Sequence, residues 1–175
     1  MTIPMVATDA ISQLCPNCGM CCNGVLFGDV ELQGGDDAQK LSAAGLDLFR
    51  KGRKQAFAQP CACFDGKLCR IYADRPNRCA GFDCGLLKRV IAGQMSSASA
   101  LKTIRATLRE VERVKQLLRD SGNHEEASAL NKRYADVMAQ PMDLSASEAD
   151  TERRGELMMA VADLMSRAQR EFLTS

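Results

Sequence analysis

With 175 residues, 46% of them hydrophobic, the chain has material for one ordinary domain, or for a small domain with a helical extension. Six Phe, two Tyr and no Trp mean that a core would be built mainly from Leu, Val, Ile, Ala and Met. A formal charge of +1 argues against general attraction to nucleic acid or to an anionic membrane, and no apolar run approaches the roughly eighteen residues of a transmembrane helix.

Residues 1–14 read as an irregular or short helical lead, with no lysine or arginine and no apolar stretch of signal-peptide length. Cys15-Pro16-Asn17-Cys18-Gly19-Met20-Cys21-Cys22 follows. Val25 to Leu32 has the β-branched, alternating character of a short strand, ended by Gly34-Gly35. Asp36 is then expected to cap a short helix running to about Ala44. Arg50 to Lys54 reads as a basic loop, either a solvated surface or a counter-charge for anionic thiolates. Asp65-Gly66 lies between the short runs Pro60–Phe64 and Leu68–Tyr72, which predicts a β-hairpin bringing Cys61 or Cys63 toward Cys69. Arg75-Pro76 predicts a turn into a helical segment. Cys79 and Cys84 can reach one ion only if that segment departs from regular helix, for which Gly81 and Gly85 give freedom.

Beyond Cys84 the composition changes to helical patterning. Gly85 to Ala92 is expected as a short helix stopped by Gly93. Ser99 to Ser121 places Leu101, Ile104, Leu108, Val111 and Leu118 at helical spacing, and Gly122 ends that helix. Asn123-x-x-Glu126 resembles a capping box opening a second helix, with Ala127, Leu130, Tyr134, Val137 and Met138 inward and Pro141 as its breaker. Ser145-x-x-Glu148 opens a third, with Leu157, Met158, Val161, Leu164, Met165, Ala168 and Phe172 as its apolar stripe. Lys102, Arg105, Arg109 and Arg113 line one side of the first long helix. Residues 100–175 carry twelve basic against thirteen acidic side chains, so the stripe reads as a solvated face and nucleic-acid contact is disfavoured. Met158, Met159 and Met165 read as core filler. His124, the only histidine, falls in the first turn of the second helix and is a poor ligand candidate.

The fold class implied is α+β, mostly α. Residues 1–95 form a small loop-rich cysteine domain with short strands. Residues 96–175 form a helical segment of about three helices that packs on it or mediates association with a protein partner.

All nine cysteines lie between Cys15 and Cys84, and none follows. Cysteines used as small core hydrophobes would not segregate in this way. Four thiols within eight residues are too close for a disulfide framework, and an odd total fits a fully paired scaffold poorly. A reducing compartment, the cytoplasm, favours metal over disulfide for such a pattern. In Cys15-x-x-Cys18-Gly19, two intervening residues let both sulfurs reach one ion while turn N–H groups point at the thiolates and lower their pKa. Cys15-x-x-Cys18-x-x-Cys21 also has the opening spacing of bacterial ferredoxin sites, without their fourth cysteine followed by proline. A divalent ion held by four thiolates carries net −2, so two such sites would move the chain from +1 to about −3.

These residues, together with Pro60-Cys61 and Cys69-x-Ile71-Tyr72-x-x-Arg75-Pro76-x-x-Cys79-x-x-Phe82-x-Cys84, resemble the CxxCxxCC cysteine-cluster family of zinc- or iron-chelating domains, the YkgJ-type proteins. The resemblance covers about residues 15–84. It implies Cys15, Cys18, Cys21, Cys22, Cys61, Cys69, Cys79 and Cys84 as metal ligands, with Cys63 accessory. Ala80 stands where the family commonly has an arginine. The resemblance also extends distantly to flagellin lysine N-methylases, which implies an iron–sulfur centre as the alternative.

Eight ligands suit two four-cysteine sites or one multinuclear cluster. Adjacent Cys21 and Cys22 are expected to point in different directions, serving different ions or bridging two. The leading reading is a cytoplasmic metal-binding protein with an all-cysteine cluster, with Zn2+ as the metal ahead of an iron–sulfur cluster. A second reading is an iron–sulfur enzyme or electron carrier related to methyl-transfer proteins, although no catalytic constellation stands beside the cysteines. Asp65, Asp74 and Asp83 are better read as turn, helix start and surface. A third is a zinc-shaped adaptor for protein or RNA, motivated by the basic stretch at 50–54.

Overall fold

The computed structural model describes residues 5–141 and 148–174. Among them the chain is mostly α with a little β, as expected. Helix α1 (Met5–Leu14) runs into a 3₁₀ turn, Cys15–Asn17. Strand β1 (Asp29–Glu31), helix α2 (Ala38–Ala43), and strands β2 (Leu48–Lys51) and β3 (Lys54–Ala58) follow. The second cysteine segment holds a 3₁₀ turn, Tyr72–Asp74, and the short helix α3 (Asn77–Ala80). Then come α4 (Gly85–Ile91), α5 (Ser97–Asp120), α6 (Leu130–Met138) and α7 (Glu148–Ala168), the last continuing as a π-helical turn, Gln169–Leu173.

The sheet is antiparallel in the order β1-β3-β2, with Phe57 of β3 opposite Val30 on one side and Leu48 on the other. The expected strand from Val25 shortens to Asp29–Glu31, which pair in register with Ala58, Phe57 and Ala56 of β3. The expected basic loop at 50–54 is a tight hairpin, with Lys51 opposite Lys54 across Gly52-Arg53. Its lysines are not counter-charges for thiolates: Lys51 pairs with Asp29 at 2.7 Å and Lys54 with Glu31 at 3.0 Å.

Other starts and stops follow local chemistry. Asp37, not Asp36, caps α2 by accepting from Lys40 N at 3.0 Å. Asp36 instead accepts from Gln33 N at 2.7 Å and from Asn77 N at 2.8 Å, which fastens the start of α3. Ser96 caps α5 through Ser99 N, and Gly122, at φ +82°, follows the end of that helix. The expected capping box at Asn123-x-x-Glu126 does not form, and α6 begins only at Leu130. Both side chains are drawn elsewhere: Asn123 Oδ1 accepts from the buried Arg133 Nε at 3.0 Å, and Glu126 pairs with Arg119 at 2.8 Å. His124 is therefore exposed in the irregular stretch before α6, not in a helix. Ser145 lies outside the described residues.

Two cores result. The helical core joins Ala10 and Leu14 of α1, Met20, Leu86, Leu87 and Val90 of α4, the buried face of α5, Val137 of α6, and Leu157, Val161, Leu164 and Phe172. Full burial of a side chain such as Leu157 contributes about 2 kcal/mol. The smaller core, beside the sheet, holds Val30, Leu41, Leu46, Phe57 and Cys63. On α7 the packed stripe is Leu157, Ala160, Val161, Leu164 and Ala168; Met158, Met159 and Met165 are exposed, not core filler. Residues one position along a helix from the packed row are rotated by about 100° and leave the interface.

Beyond the shared helical core, two close contacts fasten the front of the chain to the later helices. Leu130 N donates to Gly24 O at 2.9 Å. Gly85 opens α4 so close to the π-helical turn that a Cβ there would stand 2.5 Å from Thr174 O.

Candidate metal centre

The first cysteine segment folds as consecutive tight turns. Cys18 N and Gly19 N both donate to Cys15 O at 3.1 Å, and Cys22 N donates to Gly19 O at 2.8 Å. Gly19 sits at φ +64°, and a Cβ there would lie 2.5 Å from the Phe64 ring. Only glycine meets both demands without strain. Phe64 comes from the second segment, so a hydrophobic contact presses the two cysteine segments together.

That second segment is held by backbone bonds. Cys61 N donates to Cys22 O at 2.8 Å, and Arg70 N donates to Cys63 O at 2.8 Å. The hairpin expected at Asp65-Gly66 forms in miniature: a single bridge pairs Phe64 with Cys69, and Asp65 Oδ1 accepts from Lys67 N and Leu68 N at 2.9 and 2.7 Å. Cys79 lies on α3. Cys84 is the N-cap of α4, and its Sγ accepts from Leu87 N at 3.4 Å. The helix break wanted between Cys79 and Cys84 is thus the gap between α3 and α4.

All nine cysteines are free thiols. Their neighbourhoods divide. Cys15, Cys18, Cys21 and Cys84 line one small cavity of about 60 Å³, whose other walls include Leu14, Leu26, Phe82, Ile104 and Phe172. Burial and the Cys21 and Cys84 thiols push Cys15 up to about 12, although part of that residue reaches solvent. Burial, with the Cys21, Cys84 and Cys15 thiols, pushes Cys18 to about 12 against a backbone N–H bond that lowers it. Burial and Cys21 likewise raise Cys84. On the other side, burial with Cys61, Cys21 and Cys69 pushes Cys79 to about 12, and burial with Cys63 and Cys69 raises Cys61. Cys22 shares the side of Cys61 and Cys79.

Cys21 and Cys22 form the seam. Their sulfurs are 3.7 Å apart, closer than the divergent pair expected from the sequence. With Cys22 donating to Cys21, the Cys21 thiol is brought down to about 7 and that of Cys22 is raised. Cys63 is fully buried in the sheet-side core, its thiol donating to Ala44 O at 3.4 Å.

Among the described residues, no three Cys, His, Asp or Glu side chains already surround one point at ligand distance. Holding an ion therefore calls for rearrangement of side chains within each neighbourhood. The donor set suits a soft thiophilic metal: free thiols in quantity, crowded enough to raise one another's pKa, with backbone N–H groups donating to Cys18, Cys61 and Cys84. Crowded neutral thiols are what a cation relieves, since metal binding replaces their protons.

Sequence reasoning gave Arg75 a turn with Pro76 and a place in the motif of the second segment, but no role at the cysteines. Its guanidinium stacks on Tyr72 at 3.8 Å and lowers the pKa of Cys15, Cys21 and Cys79. Phe64, the partner of Gly19, was likewise missed; no local pattern marks it.

Residues 14–98 match the model of the CxxCxxCC family, described as "Putative zinc- or iron-chelating domain". A search of the curated proteins and one of the solved structures each gave no significant match. Among the described residues, no helix is long and apolar enough to cross a membrane. Over residues 14–98, just under half of its length, the chain is thus similar to the CxxCxxCC family of domains described as zinc- or iron-chelating.

Proposed function

We propose that this protein binds two thiophilic ions, one at Cys15, Cys18, Cys21 and Cys84 and the other at Cys22, Cys61, Cys69 and Cys79. The observation that carries this reading is the division of eight free thiols into two neighbourhoods of four that meet at Cys21–Cys22. Zinc is the first choice of metal, because four thiolates satisfy a closed tetrahedral structural site. Bound there, it would neutralise thiolate charge and fasten the turns of residues 15–84, with residues 96–175 as a helical buttress. The cytoplasm, where thiols stay reduced, is the compartment in which such sites stay loaded.

A second reading is favoured at the first neighbourhood alone. There the four cysteines frame an apolar cavity of about 60 Å³, larger than one ion needs and walled by Phe82, Ile104 and Phe172. An iron–sulfur cluster, which takes four cysteine thiolates, would supply electron-transfer chemistry at that position. Anaerobic purification without added metal, followed by elemental analysis and an absorption spectrum, separates the readings. A colourless protein with about two equivalents of zinc supports the first. Iron with inorganic sulfide and a dithionite-bleached band near roughly 400 nm supports the second. Fewer than one equivalent of any metal, with the thiols reduced, removes both.

A further inference from the structure

Helix α7 packs on one side only. Leu157, Val161 and Leu164 are buried in the helical core, while Met158, Met159 and Met165 on the side away from it are 47%, 65% and 65% exposed. The other large exposed apolar side chains, Phe49, Leu68 and Tyr72, lie in the front half of the chain. Thioethers grouped on one helix face make an apolar patch of the kind that marks an association surface, and an unbranched side chain adapts readily to what covers it. Gly155, Met158, Ala162 and Met165 follow one another at steps of three, four and three, the spacing with which one helix presents a seam to another. Gly155 is exposed, and a Cβ there would meet nothing within 4 Å, so no contact among the described residues calls for glycine. Glycine weakens a helix interior relative to alanine; what it provides here is room for a side chain arriving from outside.

Charge selects the occupant. Glu152 and Arg170 are eighteen residues apart, about five helical turns, so they flank the same edge of the stripe near its two ends. Glu152 is exposed, and Arg170, in the turn that continues α7, pairs across solvent with its neighbour Glu171 at 3.2 Å. When two identical helices pack antiparallel, this edge of one meets the same edge of the other, and Glu152 of each copy comes toward Arg170 of its mate. A parallel pair would set the acidic ends together. The stripe is thus complementary to itself in charge as well as in size.

We propose that α7 is the contact between two copies of this chain, packed antiparallel about a two-fold axis level with Ala160. In that register Met165 of each copy covers Gly155 of the other, Met158 covers Ala162, and a Glu152–Arg170 pair closes each end. One helix face is a small interface, near or below the roughly 1,200 Å² at which standard complexes begin. The dimer therefore exchanges with monomer at concentrations on the order of micromolar. It is independent of the metal reading, since no cysteine lies on α7.

The test is sedimentation equilibrium of the full, reduced chain from about 1 to about 100 μM. Wild type is expected to pass from monomer to dimer over this range. Met165→Glu and Gly155→Leu are each expected to weaken the dimer about tenfold or more. Both sites are exposed, so thermal melting of the variants should show an intact fold, and Gly155→Leu should raise helix stability while it blocks the seat of Met165. Glu152→Arg and Arg170→Glu should each weaken association severalfold, and the chain carrying both should regain wild-type affinity. A wild type that stays monomeric throughout overturns the proposal and leaves the stripe to a partner of another sequence. A dimer indifferent to Met165→Glu and Gly155→Leu overturns it as well, by placing the contact elsewhere. Failure of the double charge exchange to restore affinity overturns the antiparallel arrangement.

Discussion

Cys21 and Cys22 hold their sulfurs 3.7 Å apart, where the two groups of cysteines meet. Cys21 lines the apolar cavity with Cys15, Cys18 and Cys84, and Cys18 and Cys84 pack against the helical core. Cys22 faces Cys61 and Cys79, which pack against the core beside the sheet. One peptide bond thus joins the two cysteine neighbourhoods.

Single serine substitutions are expected to sort into two classes. Cys15→Ser or Cys84→Ser should lose one equivalent of metal and leave the other, and Cys61→Ser or Cys79→Ser should lose the opposite one. A chain carrying one substitution from each class should bind none tightly. Elemental analysis after exhaustive dialysis checks this, and one substitution that removes all metal would point to a single multinuclear cluster.

Cys63→Ala should keep the full complement of metal while lowering stability by about 1 kcal/mol, through the loss of a small buried group and its bond to Ala44 O. Metal content and denaturant titration of the loaded protein together report both halves of this expectation.

Gly19→Ala forces an L side chain into φ +64° and into the Phe64 ring. A cost of about 2–4 kcal/mol is expected from the backbone and contact terms together. Adding Phe64→Ala should remove the contact part but not the backbone part. Chemical denaturation of the three variants measures that partial recovery, and full recovery would assign the whole penalty to the ring.

Metal removal should affect the two cores unequally. Structural zinc contributes on the order of 10 kcal/mol to folding, and the turns of residues 15–84 have few regular hydrogen bonds to replace it. The α5–α7 packing rests on apolar contacts that need no ion. Hydrogen exchange after treatment with a strong chelator should show lost protection in 15–84 and partly retained protection in α5 and α7. Unchanged protection throughout would refute a structural role for the metal.

The metal-free protein should weaken in alkali. Cys15, Cys18 and Cys79 are raised from an ordinary value near 9 to about 12 by burial and by the thiols beside them. A thiol that loses its proton less readily in the folded state contributes stability fully present below about 9 and lost as pH rises through about 12. Cys21, brought down to about 7, has the opposite sign: its contribution is present above about 9 and lost as pH falls through 7. The raised thiols outnumber it, so the melting temperature of reduced, metal-free protein should fall above pH 9. With metal bound the same thiols are already deprotonated, and the zinc-loaded protein should show a flatter profile over that window.

The sequence by itself determined the chemistry of the front half and the helical character of the rest. Segregation of nine cysteines into Cys15–Cys84 is visible in one dimension, and so are the spacing of the turn at Cys15–Cys22 and the apolar periodicity that became α5. Local signals also marked the ends of α4 and α5, because Gly93 and Gly122 adopt positive φ that other residues resist. Tertiary structure alone decided which competing partner a polar side chain takes. Asn123 and Glu126 gave up a capping box to Arg133 and Arg119, and Lys51 and Lys54 went to carboxylates across the sheet and not to sulfur. It also decided the division of the cysteines, which depends on where α1, the miniature hairpin, α3 and α4 come together. Spacing along a chain fixes which sulfurs can be neighbours within a turn. Which distant sulfurs, aromatic rings and cations join them is set by the packing of the two cores, and that depends on contacts between residues far apart in sequence.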